Sequence, residues 1–232
     1  GAIIMQVNLI VDLVLASLLP VGAISWLYFA DRLAQLPLGV IGIALGTALL
    51  PRLSAQLRGG ERDAARQSVA DAIQLAAFLV LPAAAALIII APQIIAGLFQ
   101  HGAFTSAAVT ATAAALAAYA IGMPAHVMVK ILQPAFYADG RPGFVLGVSV
   151  VAVTTNIALS LSLMPVLGHV GLALATSASG FVAATALAVA LARGRSLGLP
   201  PGGASVRILG ATAVMALVLF VAKDITDTLP GV

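Results

Sequence analysis

Charged residues are scarce in this sequence, and cysteine is absent. Only 8% of its 232 residues are charged and 62% are hydrophobic, whereas about 25% of the residues of a typical soluble domain are charged. So few charges cannot cover the surface of a soluble domain of this length, which excludes that class of protein. Without cysteine, the sequence carries no sign of its redox compartment.

Sequence motifs for catalysis are also lacking. The chain has no metal-ligand spacing, no glycine-rich phosphate loop and no nucleophile beside a plausible base. We therefore expect no enzyme activity, no cofactor and no coupling to ATP bound on this chain. The net charge of +3 and the pI near 9.8 raise the question of a nucleic-acid partner. The basic residues lie between apolar stretches and not on one soluble face, so we expect no nucleic acid.

Apolar stretches of about 20 residues recur along the chain, which is the length needed to cross a hydrocarbon core of about 30 Å. Only helices and closed barrels satisfy their backbone groups in lipid. The stretches are continuous and rich in Ala and Leu, with no alternation, so helices are favoured over a barrel. The sequence thus predicts an all-α, polytopic transmembrane bundle. Its seven spans are predicted at about 1–19, 23–50, 63–90, 107–137, 143–164, 169–192 and 205–222.

Basic residues fall almost entirely in alternate loops of this bundle. The loops after spans two, four and six contain Arg52, Arg58, Arg62, Arg66, Arg141, Arg193, Arg195 and Arg207. The remaining extramembrane positions contain only Lys223. Because loops rich in Lys and Arg stay in the cytoplasm, loops 52–66, 138–143 and 193–207 are predicted to be cytoplasmic.

Two basic residues lie inside predicted spans. Arg32 lies about ten residues into span two, roughly 15 Å below the membrane edge, where an isolated Arg costs at least ~2.5 to 3.5 kcal/mol. Such a residue normally faces a bundle interior or a wet cavity. Arg32 and its neighbour Asp31 could form structural ion pairs between helices, or Arg32 could bind an anionic ligand through its planar fork. Lys130, nearer the cytoplasmic end of span four, could extend to the interface or line the same cavity.

Oxygen-bearing side chains on three spans share one depth. Asp12, Asn156 and Thr176 each lie about seven or eight residues from the same membrane face, and Ser160 lies one helical turn from Asn156. One carboxylate with neutral oxygens suits Na⁺ or a proton site. Ordinary hydrogen bonding between helices is the alternative, and so is a pair between Asp12 and Arg32.

Small residues at a spacing of four occur twice. Gly42 and Gly46 in span two, and Gly143 and Gly147 in span five, each form a face that allows close helix packing. We assign no binding site to either face.

Five segments resemble one family in the right order. They are SWLYFADRLAQLPLG at 25–39, GIALGTALLP at 42–51, LFQHG at 98–102, KILQPAFYA at 130–138 and GHVGLALA at 168–175. Together they resemble the MurJ (MviN) family of lipid II flippases, within the multidrug/oligosaccharidyl-lipid/polysaccharide exporter superfamily. Members of this family have two lobes of helices around a central cavity. The resemblance implies a C-terminal transport lobe at 1–192, a cytoplasmic loop and extra helix at 193–232, and an N-terminal lobe that this chain lacks.

The resemblance also implies a function and a site. The expected function is to flip lipid II, an undecaprenyl-diphosphate disaccharide peptide, across the bacterial inner membrane by alternating access. Arg32 would bind the diphosphate, and Asp31 and Lys130 belong to family motifs. Some members bind Na⁺ at positions that match Asp12, Asn156 and Thr176. Ser160 and Gln35 stand where some members carry an acid.

Partners and rival functions follow from the same reading. The expected partners are the lipid-linked precursor, membrane lipids and the N-terminal lobe. The alternative function is export of other polyprenyl-linked oligosaccharides or of small-molecule drugs by a member of the same superfamily. A non-transporting membrane scaffold with paired charges is a third class.

Overall fold

The computed structural model describes residues 2–193, with side chains from residue 10 onward. This part of the chain is helical and contains no strand. The predicted seventh span at 205–222, and the loop before it, lie outside the described residues. The helices are α1 Ala2–Ser17, α2 Ala23–Pro37, α3 Ala44–Arg58, α4 Arg62–Ile89, α5 Ala91–Phe99, α6 Ser106–Ala138, α7 Pro142–Leu167 and α8 His169–Arg193.

Five of the described helical stretches are long and apolar enough to cross a membrane. They are Ala23–Arg58, Arg62–Ile89, Ser106–Ala138, Pro142–Leu167 and His169–Arg193. The first combines α2 and α3 into one helix of 36 residues. The predicted polytopic α-helical membrane fold is therefore confirmed, since these stretches coincide with predicted spans two to six.

Two prolines do not end their spans as the sequence suggested. The second span was predicted to stop at Pro51, but α3 runs through Pro51 to Arg58, so only 59–61 of the predicted loop 52–66 separates two helices. Pro165 likewise lies inside α7, which ends at Leu167. A proline removes one helix hydrogen bond, and helices of membrane proteins tolerate that loss.

A π-helical turn, Leu38–Ile43, joins α2 to α3 directly after Pro37. Such a turn has wider i→i+5 hydrogen bonding. It is rare in proteins, and where it occurs it often lies at a functional site. The turn brings Gly42 and Gly46 against α6. A Cβ added at Gly42 would lie 3.3 Å from Lys130 Cγ, and one at Gly46 would lie 2.8 Å from the Lys130 carbonyl oxygen. The prediction of close packing at this glycine pair is confirmed.

The second glycine pair behaves differently. Gly143 and Gly147 are exposed on α7, and a Cβ built at either would meet no atom of the described chain within 4 Å. No helix among residues 10–193 covers these two glycines, so close packing at this pair stays a prediction. The spacing of four marks a small-residue face but does not say whether a helix covers it.

Helix α6 lies at the centre of the bundle and packs against α2, α3, α4, α5 and α8. Its contact with α8 is the closest, because small residues let the two backbones approach. Gly122 of α6 faces Ser177 of α8, and Ser177 Oγ donates a 2.6 Å hydrogen bond to the Ala118 carbonyl. Helix α8 also packs against α7, and α7 packs against α1.

Aromatic contacts fix which helix ends lie together. Trp26 contacts His169 edge-on at 5.1 Å between ring centroids, and His169 Nε2 donates to the Ala111 carbonyl at 2.9 Å. Phe29 contacts Phe104 at 5.8 Å. The first turns of α2, α6 and α8 therefore share one end of the bundle. The arginine-bearing turns after α3 and α6 lie at the other end, as the alternation of charge along the sequence requires.

Helix α5 was not predicted. Its nine residues, Ala91–Phe99, lie in a segment that the sequence indicated as an outer loop. Phe99 packs against Phe29 at 4.7 Å between ring centroids, which holds the short helix against the aromatic end of the bundle.

Candidate functional site

A polar face runs along α2. Ser25, Tyr28, Arg32 and Gln35 are exposed, and Asp31 beside them is half-buried. Residues at this spacing lie on one side of a helix. We call these five residues the α2 polar face.

The opposite side of α2 forms the packing interface. It is apolar and buried, and it faces α6. Its buried residues are Ala23, Leu27, Ala30 and Ala34. The packing of the bundle therefore directs the α2 polar face away from its interior.

Arg32 is held on this face by an aromatic ring. Its guanidinium carbon lies 4.9 Å from the centroid of the Tyr28 ring, a cation–π contact one turn along the helix. Asp31 instead accepts a hydrogen bond from Gln35 Nε2. Among residues 10–193, no carboxylate forms an ion pair with Arg32. Its hydrogen-bond donors are thus available to a ligand. The structural ion pair considered for Arg32 is not seen in this part of the chain.

Lys130 lies on α6, half-buried, with its stem against Gly42. Gly42 is ten residues beyond Arg32, about 15 Å along a helix. Lys130 therefore lies nearer the arginine-rich end of the bundle than Arg32 does. The structure brings Arg32 and Asp31 together on one helix but places Lys130 apart from them, at a different depth.

The predicted oxygen cluster is partly assembled between α7 and α8. Asn156 Nδ2 donates to Thr176 Oγ1 at 3.1 Å, and Thr176 Oγ1 donates to the Leu172 carbonyl at 3.1 Å. Asn156 is 1% exposed and Ser160 is 0% exposed. Asp12 lies half-buried on α1, which packs against both α7 and α8. The three helices that carry these oxygens are therefore neighbours.

Ser160 is the unusual member of this cluster. Its Oγ is fully buried and has no hydrogen-bond partner among the described residues. A buried hydroxyl without a partner costs about 1 to 3 kcal/mol, so such groups normally meet a water or an ion. The described residues contain no group of three or more His, Cys, Asp or Glu side chains that could hold a metal. Oxygen atoms with a single carboxylate are the ligands of hard cations more than of transition metals.

Two residues of the α2 polar face, Ser25 and Tyr28, escaped the sequence analysis, and Tyr28 is the one that contacts Arg32. Tyr28 was not singled out, although it stands four residues before Arg32, a spacing that places two side chains together on a helix. That spacing was the available signal for the cation–π contact.

These features define a class, that of a polytopic helical membrane protein built like a secondary transporter. It has a long apolar helix that carries an arginine, and oxygen-bearing side chains buried between other helices. A sequence model of the family described as "Lipid II flippase MurJ" matches residues 1–231. The chain belongs to the lipid II flippase MurJ family, which confirms the family that the five segments indicated.

Individual relatives agree. A probable lipid II flippase MurJ of Rhizobium tropici is 41% identical over 188 residues, covering 81% of this chain and 35% of the relative. A probable lipid II flippase MurJ of Rhizobium meliloti (strain 1021) is 39% identical over 226 residues, covering 95% of this chain and 42% of the relative. The chain therefore spans well under half the length of these curated relatives.

Solved structures show the same fold. A lipid II flippase MurJ in an inward closed conformation superposes with a TM-score of 0.82 at 24% identity, over 99% of this chain and 46% of that one. A MOP superfamily transporter from Pyrococcus furiosus superposes with a TM-score of 0.68 at 18% identity, over 94% of this chain and 50% of that one. Both likenesses concern the fold.

Proposed function

We propose that this chain is the C-terminal half of a flippase for lipid-linked peptidoglycan precursor in the bacterial cytoplasmic membrane. Residues 1–192 would be its transport lobe, and 193–232 would add a cytoplasmic loop and a further helix. The proposal rests on family membership and on one structural observation: Arg32 is exposed on the α2 polar face.

The position of Arg32 argues for a cavity on that side of α2. An arginine facing acyl chains would cost at least about 2.5 to 3.5 kcal/mol, and the polar side chains around it would add to that cost. A second lobe opposite α2 would enclose this face in a wet cavity. The N-terminal lobe of the family is the natural partner for this role.

The substrate offers the matching group. A diphosphate carries closely spaced anionic oxygens, which the planar guanidinium binds with two parallel hydrogen bonds. Tyr28 holds the guanidinium from one side and leaves its donors open. Asp31 would orient the face through its hydrogen bond to Gln35, without neutralising Arg32. Lys130 would attract the headgroup nearer the arginine-rich end of the cavity.

The orientation follows from charge. The turns rich in arginine would face the cytoplasm, where the precursor is loaded, and the aromatic end with Trp26 and His169 would face outward. Alternating access would then be a rocking of the two lobes about the bound headgroup.

Coupling to a cation is proposed at Asp12, Asn156, Ser160 and Thr176. Three helices converge there, one of the four residues is a carboxylate, and the orphaned Ser160 hydroxyl would gain a partner if Na⁺ or a proton-bearing water bound. Binding would tie α1 to α7 and α8 and so bias the position of α1. The substitution of an acid by Ser160 leaves one negative charge fewer than in some family members.

A complementation assay tests the proposed function. Cells depleted of their own flippase would receive the front half of the Rhizobium meliloti relative joined to this chain. We expect growth with the unaltered chain and with Arg58→Ala, which removes an exposed arginine outside the cavity. We expect lysis with Arg32→Ala at equal expression. Growth supported by Arg32→Ala would refute the role given to Arg32.

The same assay separates the rival functions. An exporter of other polyprenyl-linked sugars or of drugs would leave the depleted cells unrescued even with the unaltered chain. The α2 polar face favours an anionic substrate, since its exposed charge is an arginine, whereas a carrier of cationic drugs would need acidic walls.

A further inference from the structure

A cleft lies at the arginine-rich end of the bundle, on the side of α7 and α8. Its volume is about 420 Å³, and it is lined by Arg141, Phe144, Ala186, Val189, Ala190 and Arg193. Arg141 lies in the turn before α7, and Arg193 is the last residue of α8. Two cationic side chains from neighbouring helix ends thus meet over one opening. We call it the α7–α8 cleft.

Arg141 is held in position by two phenylalanine rings. Its guanidinium carbon lies 5.6 Å from the Phe136 centroid and 5.4 Å from the Phe144 centroid. The two rings stack at 5.1 Å with 25° between their planes. Phe136 is buried at 2% exposure, so this support is rigid. Such stacking restrains the arginine before any ligand arrives, which lowers the entropic cost of binding.

The charge of the cleft remains positive. Asp139 Oδ2 lies 4.0 Å from Arg141 Nη1, at the outer limit of an ion pair, and the Arg141 side chain is 47% exposed. One carboxylate beside two arginines leaves one excess positive charge. Helix α7 begins next to Arg141, at Pro142, and the positive end of its dipole adds to the attraction for an anion.

The walls suit a lipid more than a soluble ion. Below the arginines the cleft is lined by Phe144, Val189 and two alanines, Ala186 and Ala190. Apolar side chains therefore form most of the lining beside the two arginines. Basic pockets between transmembrane helices at the cytoplasmic surface are typical sites for phospholipid headgroups.

We propose that the α7–α8 cleft binds the phosphate of an anionic phospholipid of the cytoplasmic leaflet. Arg141 and Arg193 would contact the phosphate oxygens, and the apolar walls would contact the glycerol and acyl chains. The assignment to the cytoplasmic leaflet rests on the orientation given under the proposed function. The site itself is separate from the α2 polar face. Its occupant is a resident membrane lipid and not the transported precursor.

Native mass spectrometry of the unaltered protein, released from detergent micelles, tests this site. The probes are phosphatidylglycerol and phosphatidylcholine of equal acyl length, titrated separately. Each arginine beside an anionic lipid contributes about fivefold in affinity. Removing both in Arg141→Gln/Arg193→Gln should therefore weaken phosphatidylglycerol binding about 25-fold. The matched control, Arg58→Gln/Arg62→Gln, removes two arginines at the same end but outside the cleft, and should change binding less than about twofold.

A variant that should bind phosphatidylglycerol more tightly provides an independent test. Asp139→Asn removes the carboxylate beside Arg141 and should strengthen phosphatidylglycerol binding a few-fold, which a misfolded variant would not do. Glycerol 3-phosphate added in solution should not displace the lipid at similar concentrations, because it lacks the acyl chains.

Three results would overturn the proposal. They are unchanged phosphatidylglycerol binding by the double cleft variant, equal binding of phosphatidylcholine, and displacement by glycerol 3-phosphate at lipid-like concentrations. Complementation by the same variants reports separately on flipping, so a failed lipid site and a failed flippase role are distinguishable.

Discussion

Replacing Gly122 with alanine should loosen the contact between α6 and α8. A Cβ at this position would lie 2.5 Å from both Cα and Oγ of Ser177, distances that real Cβ atoms do not show. Of the three clashing Ser177 atoms, Cα belongs to the backbone and Cβ (2.6 Å) does not move on rotation of the side chain, so a rotation cannot relieve the contact. The helices must separate, and the 2.6 Å hydrogen bond from Ser177 Oγ to the Ala118 carbonyl lengthens or breaks.

The magnitude follows from two known effects. Overpacking by one methyl group in a tight core costs about 1 to 3 kcal/mol, and the loss of a buried hydrogen bond adds about 0.5 to 1.5 kcal/mol. Alanine's better helix propensity returns about 1 kcal/mol. We expect a net destabilisation of about 0.5 to 3.5 kcal/mol.

Gly147→Ala is the matched control. Gly147 is exposed in the middle of α7, and its added Cβ meets no described atom within 4 Å. Only the gain in helix propensity remains, so this variant should be stabilised by up to about 1 kcal/mol. The same chemical change should therefore have opposite signs at the two positions.

The assay is thermal unfolding of the purified protein in detergent, followed by the loss of its monodisperse peak on size-exclusion chromatography. Gly122→Ala should lose this peak at a lower temperature than the unaltered protein, and Gly147→Ala at an equal or higher one. A Gly122→Ala protein as stable as Gly147→Ala would show that the α6–α8 contact is not as close as described.

Two further predictions concern the sites. If Na⁺ binds beside the Ser160 hydroxyl, replacing K⁺ by Na⁺ in the buffer should raise the thermal stability of the unaltered protein but not that of Ser160→Ala. The control is Ser162→Ala, which should keep the Na⁺ response because the exposed Ser162 hydroxyl already donates to the Ala158 carbonyl. An equal response in all three proteins would argue against the ion site. Tyr28 holds the Arg32 guanidinium through its ring, so Tyr28→Phe should retain precursor flipping. Tyr28→Ala should reduce flipping about 2- to 30-fold, as expected for a contact worth about 0.5 to 2 kcal/mol. Equal loss in both variants would instead assign the role to the phenol hydroxyl.

Spans two to six were predictable because each is long and apolar and is bounded by charge or by turn residues. Their ends were less so, since the sequence alone does not show whether a proline such as Pro51 terminates a helix or is tolerated within it. Helix α5 was not predicted because its nine residues include Pro92, Gln93 and Gly97 and are too few to cross a membrane. It is held by tertiary contacts, in which Ala91 and Ile95 are buried, α5 packs against α6, and Phe99 contacts Phe29.

The sequence indicates which residues are candidates for the site, but not how they are arranged. The cost of an arginine in lipid makes Arg32 a candidate from the sequence alone. The direction in which the Arg32 side chain points depends on which side of α2 packs against α6. That side is set by the small residues Ala30 and Ala34. Asn156 and Thr176 were matched by depth, and they do form a hydrogen bond. The two glycine pairs have the same spacing, but Gly42 and Gly46 meet α6, whereas no described residue lies against Gly143 or Gly147.

The role of Arg32 is tested most directly by binding of lipids with different headgroups. Undecaprenyl diphosphate and undecaprenyl monophosphate would be titrated into the two-lobed chimera described above and measured by native mass spectrometry. Charge-assisted hydrogen bonds are worth about 1.5 to 3 kcal/mol, so Arg32→Ala should weaken diphosphate binding about 10- to 150-fold. Arg32→Lys, which keeps the charge without the fork, should lose less. Equal diphosphate affinity in Arg32→Ala and the unaltered protein would contradict the account.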